Sequence, residues 1–88
     1  MGKYAKLIKK ILSGNQDGNI NFSELINLLL LLGFQQRTTG GSHHIFYKPG
    51  VSEIINIQPK GSEAKPYQVK QIRNIIEKYN LEAKYEQI

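Results

Sequence analysis

Apolar residues open the chain at helical spacing. Tyr4, Leu7, Ile8, Ile11 and Leu12 fall on one side of a turn, with Lys6, Lys9 and Lys10 around the rest. The pattern predicts a helix over Lys3 to Leu12. Turn residues in Ser13-Gly14-Asn15-Gln16-Asp17-Gly18-Asn19 then break it. A second helix is expected from Asn21, whose side chain can cap the first turn while Glu24 reaches back three residues later. From Leu25 to Leu32 this helix is apolar almost all round, so one packing surface does not satisfy it. The first helix is the expected cover for its second face, and a partner protein is the other candidate.

Beyond Gly33 the period changes from helical to alternating. Phe34 to Thr38 reads as a strand, Gly40-Gly41 as a tight turn and His43 to Lys48 as a second strand. Pro49-Gly50 turns the chain into Val51 to Gln58, rich in β-branched residues. Pro59 to Pro66 reads as a polar loop. Pro66 suits the first turn of a last helix, in which Val69, Ile72, Ile75, Ile76 and Tyr79 form one face and Asn80 marks the stop. The tail from Leu81 to Ile88 has no clear period. The expected fold is α+β: helix, helix, a three-stranded antiparallel meander and a closing helix, with the helices on one sheet face. At 88 residues the chain reads as a single domain, 1–88, with one core.

Composition narrows the class. Without cysteine there is no disulfide framework and no thiolate zinc site, which fits a reducing compartment. The longest apolar run, Leu28 to Leu32, is far short of the roughly 20 residues a membrane span needs. The basic N-terminus lacks a signal-peptide cleavage site, and Lys6 breaks the myristoylation pattern. A soluble cytoplasmic protein is expected, with no membrane partner. Twelve Lys and Arg against seven Asp and Glu leave a net charge of +5. That excess fits a polyanion partner such as nucleic acid, or simply a basic solvated surface.

Ser13 to Glu24 imitates a calcium loop, with Asn15, Asp17, Gly18, Ile20 and Glu24 at its third, fifth, sixth, eighth and twelfth positions. Ser13 stands where the first ligand should be Asp, which leaves two carboxylates and no second loop to pair with. An inter-helix turn followed by a capping box uses the same residues and is preferred.

The two histidines, His43 and His44, are adjacent. Neighbours on a strand point to opposite faces, so the pair cannot easily grip one ion, and no metal site is expected. Phe46 should face the helices, with His44 beside it as a hydrogen-bonded scaffold residue. His43, Ile45 and Tyr47 then fall on the open face. There His43, near Arg37 and Lys48, is the candidate general acid or base.

Residues 31–50, "LLGFQQRTTGGSHHIFYKPG", resemble the HicA (YcfA-like) messenger-RNA interferase toxins. These run helix, "GF" strand and a "G-S-H" element with an aromatic three residues after the histidine, here Gly41-Ser42-His43 with Phe46. Residues 55–76 look like the family's third strand, polar loop and closing helix. The resemblance covers Asn21 to Leu81 and makes residues 21–81 the core and residues 1–20 a helical extension. It departs from the family at Pro59-Lys60-Gly61-Ser62, where many members carry a second histidine.

The resemblance implies a fold like the double-stranded RNA-binding domain. It also implies metal-independent RNA cleavage dependent on His43, with no cofactor, and a HicB-type antitoxin covering the site. Arg37, Lys48, Lys60 and Lys65 are the expected phosphate contacts, with Lys70 and Arg73 on the last helix orienting the strand. Ser42 either contacts RNA or holds the turn. Tyr47, Lys48 and Ser42 all remain candidates for a second acid–base group. The protein alone is expected to be a monomer. The competing readings are an RNA-binding module of the same fold that does not cut, and a protein-interaction module.

Overall fold

The first helix, α1, runs Lys3–Ser13 and buries Leu7, Ile8 and Ile11. Ser13 closes it by donating its hydroxyl to the Lys10 carbonyl at 2.7 Å, a local bond that serines make readily at helix ends. The computed structural model of the chain describes residues 3–38 and 44–81. The predicted Gly40-Gly41 turn, Ser42, His43 and residues 82–88 lie outside the described residues.

The second helix, α2, spans Phe22–Leu31, and Asn21 caps it as expected: its side-chain oxygen accepts the Glu24 backbone N–H at 2.9 Å. Its end is set by Gly33, at φ 100°. The Gly33 N–H reaches the Leu30 carbonyl and the Phe34 N–H reaches that of Leu29, the paired bonds of a Schellman closure. A left-handed residue is needed there, and only glycine adopts it cheaply. Phe22, Leu25, Leu28 and Leu29 are buried, but Leu30 and Leu31 stay exposed. The first helix therefore does not enclose α2 all round; α1 packs mainly on the last helix.

Three strands follow: β1 Gln35–Thr38, β2 His44–Lys48 and β3 Val51–Ile57, in an antiparallel sheet of order β1-β2-β3. The register sets Gln36 opposite Phe46 and Arg37 opposite Ile45, while Phe46 also faces Ile55 and His44 faces Ile57. A bulge between Phe46 and Lys48 takes up the extra residues of β3 before the Pro49-Gly50 turn. Phe46, Ile55 and Ile57 are fully buried against the helices.

Where a polar loop was expected there is a second, two-stranded ladder: β4 Pro59–Lys60 and β5 Glu63–Ala64. It is stitched to the segment between α1 and α2. The Ala64 N–H donates to the Ile20 carbonyl at 2.9 Å, the Phe22 N–H donates to that of Ser62 at 3.0 Å, and Asn21 bridges Glu63. The reason is satisfaction of backbone groups around the buried Ile20 and Ala64. The closing helix, α3, spans Pro66–Lys78 and buries Val69, Ile72, Ile75 and Ile76 on the sheet side. Asn80, at φ 54°, turns the chain out of it. Over the described residues the protein is thus α+β, with three helices and a three-stranded antiparallel meander in the order expected.

Candidate functional site

The alternation of β1 and β2 gives the sheet two different faces. Phe46 and Gln36 share the helix side with His44; Gln35, Arg37, Ile45 and Tyr47 share the open side. On the open side the Arg37 guanidinium carbon lies 5.6 Å from the centre of the Tyr47 ring, within reach of a cation–π contact. The Tyr47 hydroxyl donates to the Gln35 side-chain oxygen at 3.0 Å. This ties one cation and one phenol into a small platform.

His44 has the surroundings of a scaffold residue. Its ring meets Phe22 of α2 edge-on, with centroids 5.3 Å apart and planes at 67°. Its Nδ1 lies 2.8 Å from the Gln36 side-chain nitrogen. With the amide donating, Nδ1 is the acceptor and the ring proton of the neutral form sits on Nε2. His43 and Ser42, the other residues of the motif, lie outside the described residues.

The other cations expected to contact phosphate do not share one place. At the His44 end of the sheet, β3 leaves through Ile57 and Gln58 into the small ladder. There Lys60 is exposed, and the Lys65 ammonium donates to the Gln58 side chain at 3.1 Å. Gln68, nearly fully buried on α3, fixes this exit: its side-chain oxygen accepts the Gln58 N–H at 3.2 Å. Lys48 is instead at the far end of β2, four residues from His44, or about 13 Å at strand rise. It is away from the end where Lys60 and Lys65 follow β3, and Arg37, on the opposite edge strand, lies over the neighbouring Tyr47. Lys70 lies on α3, in an open groove of about 370 Å³ shared with Glu53, Tyr67, Asn74 and Lys78.

Arg73 is committed inward. Its guanidinium donates to Asp17 at 2.8 Å and to the Ile11 carbonyl at 3.2 Å, joining α3 to the end of α1 and the loop after it. The side chains are only 14% and 21% exposed, and the hydrogen bond that the guanidinium donates to Asp17 holds its pKa above the ordinary value. The same bond accounts for Asp17, one of the two carboxylates of the calcium-like loop. Among the described residues, no group of three or more His, Cys, Asp or Glu could hold a metal ion.

Sequence reasoning missed one further cluster, at the opposite end of β3. The Tyr79 hydroxyl donates to Glu53 at 2.6 Å, Lys78 donates to its other oxygen at 2.9 Å, and Ser52 donates at 3.0 Å. Chiefly through Tyr79 and then Lys78, the Glu53 carboxyl is held down at about 2. Lys78 is raised in turn, first by its bond to Glu53. No sequence signal links residues some 25 positions apart. The β4–β5 ladder did have one: Gly61-Ser62 is a two-residue hairpin turn, but no apolar alternation flanks it.

A family model described as the HicA toxin of bacterial toxin–antitoxin systems matches residues 22–80. Those residues run from the first residue of α2 to the turn after α3 and leave α1 outside. Comparison with curated proteins and with solved structures yields no match.

Proposed function

The chain belongs to the HicA toxin family of bacterial toxin–antitoxin systems, and on that premise we propose that it is an RNA-cleaving toxin, an mRNA interferase. The observation that carries the proposal is the family match over two thirds of the chain, across the entire α2–sheet–α3 unit. Membership implies pairing with an antitoxin; a HicB-type protein that covers the cleavage site is the proposed partner. No helix among the described residues is long and apolar enough to cross a membrane. We place the proposed RNA target in the cytoplasm.

His43 is the proposed catalytic residue. Its neighbour His44 is packed on Phe22 and bonded to Gln36, so the scaffold role is already filled. The open face of β2 carries Ile45 and Tyr47, and this is the side on which the sequence argument sets His43. As base, His43 would take the 2′-hydroxyl proton. The 2′-oxygen then attacks the adjacent phosphorus, the bond to the 5′-oxygen breaks, and that oxygen receives a proton. The products are a 2′,3′-cyclic phosphate and a 5′-hydroxyl. Proton transfer of this kind is worth on the order of 10²–10⁴-fold.

Arg37, Lys60 and Lys65 would hold phosphates beside the histidine, with Ser42 at the turn. Lys48 and Lys70 would contact the strand further off. Arg73 keeps its bond to Asp17 and supports the fold beneath them. Tyr47, bonded to Gln35 and stacked under Arg37, is the described side chain best placed on the open face to assist. Induced expression in a bacterium tests the reading. Wild type should stop growth and degrade messages, and His43→Ala should do neither; equal growth with intact messages in both would sink it.

A further inference from the structure

No step of the proposed cleavage uses the open groove of about 370 Å³ between α3 and β3. One wall is a face of α3. Tyr67, Lys70, Gln71, Asn74 and Lys78 recur three or four residues apart, so they form a single file along the helix. Glu53 of β3 stands opposite. From Tyr67 to Lys78 the file is roughly 16 Å long at helical rise. The volume lies just above the roughly 300 Å³ at which small-ligand sites begin.

The two ends of the groove differ. At the Glu53 end charge is matched: the carboxylate accepts from Lys78 at 2.9 Å and from Tyr79 at 2.6 Å. At the other end the polar groups are unused. Lys70 and Asn74 are exposed and Gln71 is half-buried, and none of these three side chains makes a hydrogen bond or ion pair with another described residue. Tyr67 is 66% exposed, more than any other large apolar side chain among the described residues. The fold gains little from an aromatic ring left in water.

The groove begins beside the proposed cleavage site. Gln68, next to Tyr67, donates to the Asn56 carbonyl at 3.4 Å and accepts the Gln58 N–H at 3.2 Å. Tyr67 is thereby fixed where β3 leaves for Lys60 and Lys65, at the His44 end of the sheet. An RNA strand held by those lysines meets the ring next. A ring, an ammonium one turn on and two amides beyond it match the parts of one nucleotide: base face, phosphate and base edge. A protein partner would want an apolar centre. The groove has none beyond the ring, since Ile75, its other apolar side chain, is only 3% exposed.

We propose that this groove is a subsite for a nucleotide flanking the cleavage point: the base stacks on Tyr67, the phosphate lies on Lys70, and Gln71 and Asn74 face the base edge. The assignment rests on the reading of the protein as an RNA-acting toxin and adds base recognition outside the sheet. Stacking tolerates any base, and the two amides supply the preference.

The test uses the full chain carrying His43→Ala, so that RNA stays intact, and short single-stranded RNA oligonucleotides in which one abasic site is moved along the strand. With the parent, loss of the base at one position should weaken binding by about 5- to 150-fold, the range of a single base–aromatic stack. Tyr67→Ala should weaken binding of the intact oligonucleotide by a similar factor, and that abasic position should then cost nothing further. Tyr67→Phe keeps the ring and should bind as the parent does. Lys70→Gln should lower the slope of log affinity against log salt by about 0.7, one single-strand phosphate. These are exposed positions, so the variants should melt with the parent. Should Tyr67→Ala melt early, Tyr67→Leu keeps bulk and helix propensity, lacks the ring and carries the same expectation.

An abasic profile that loss of the ring leaves unchanged, in a protein that does bind RNA, overturns the subsite and leaves the proposed function standing. Unchanged RNA binding with lost binding to a HicB-type antitoxin overturns it too and makes the groove a protein contact. If the parent binds no RNA and the chain with His43 restored cuts none, both proposals fall together.

Discussion

Arg73 shows how far a single side chain can depart from what its position suggests. On a helix in a basic protein it reads as a phosphate contact, yet it spans from α3 to Asp17 and the Ile11 carbonyl. Arg73→Met should leave two acceptors without their donor and cost about 1–3 kcal/mol, read as a lower denaturant midpoint with unchanged slope. His44 is legible for the opposite reason. Strand alternation beside Phe46 predicts its face, and the Phe22 and Gln36 contacts follow. His44→Leu should keep that packing, lose about 1 kcal/mol with the hydrogen bond, and retain RNA cleavage.

Glu53 adds a pH dependence. Its carboxyl, ordinarily near 4.5, is held at about 2 by the Tyr79 hydroxyl first and Lys78 second. A depressed carboxylate stabilises the fold fully above its unfolded value. That contribution is lost as pH falls from about 4.5 through about 2. Melting temperature should therefore drop across this window, and Glu53→Gln or Tyr79→Phe should flatten the drop.

Among elements, those with strong periodicity were the legible ones. The three helices and three strands stand at the predicted places because the apolar period of each agrees with its caps and turns: Asn21 before α2, Gly33 after it, Pro66 at the start of α3. Gly33→Ala should cost about 1 kcal/mol, since a Cβ at φ 100° is strained. Gly18→Ala, in open space with ordinary φ, should be nearly neutral; thermal melts of the two compare them directly. The β4–β5 ladder was hard to read because long-range backbone bonds to Ile20 and Phe22 hold it, and beyond the Gly61-Ser62 turn its own residues carry no pattern. The cover on α2 was likewise misjudged: an all-round apolar helix shows that burial is wanted, not which neighbour supplies it.

For the whole molecule, the fold was readable, and so was the family, through the "GF" strand and the Gly41-Ser42-His43 element. The candidate site was readable only in part. Sequence order names the cations but not their grouping: Lys48 sits at the far end of β2 from His44, Arg37 lies over Tyr47 from the β1 edge, and Lys60 and Lys65 follow the other edge strand, β3. Register and the Gln58–Gln68 clamp decide that, and neither is visible along the chain. The central claim is that a toxin of this fold cuts RNA with His43. The most direct test incubates purified wild type and His43→Ala with single-stranded RNA in EDTA and resolves the products by size and end group. The account predicts fragments ending in 2′,3′-cyclic phosphate from wild type, and a loss of at least about 100-fold in rate for His43→Ala. Intact RNA with wild type, or equal cleavage by both proteins, would contradict it.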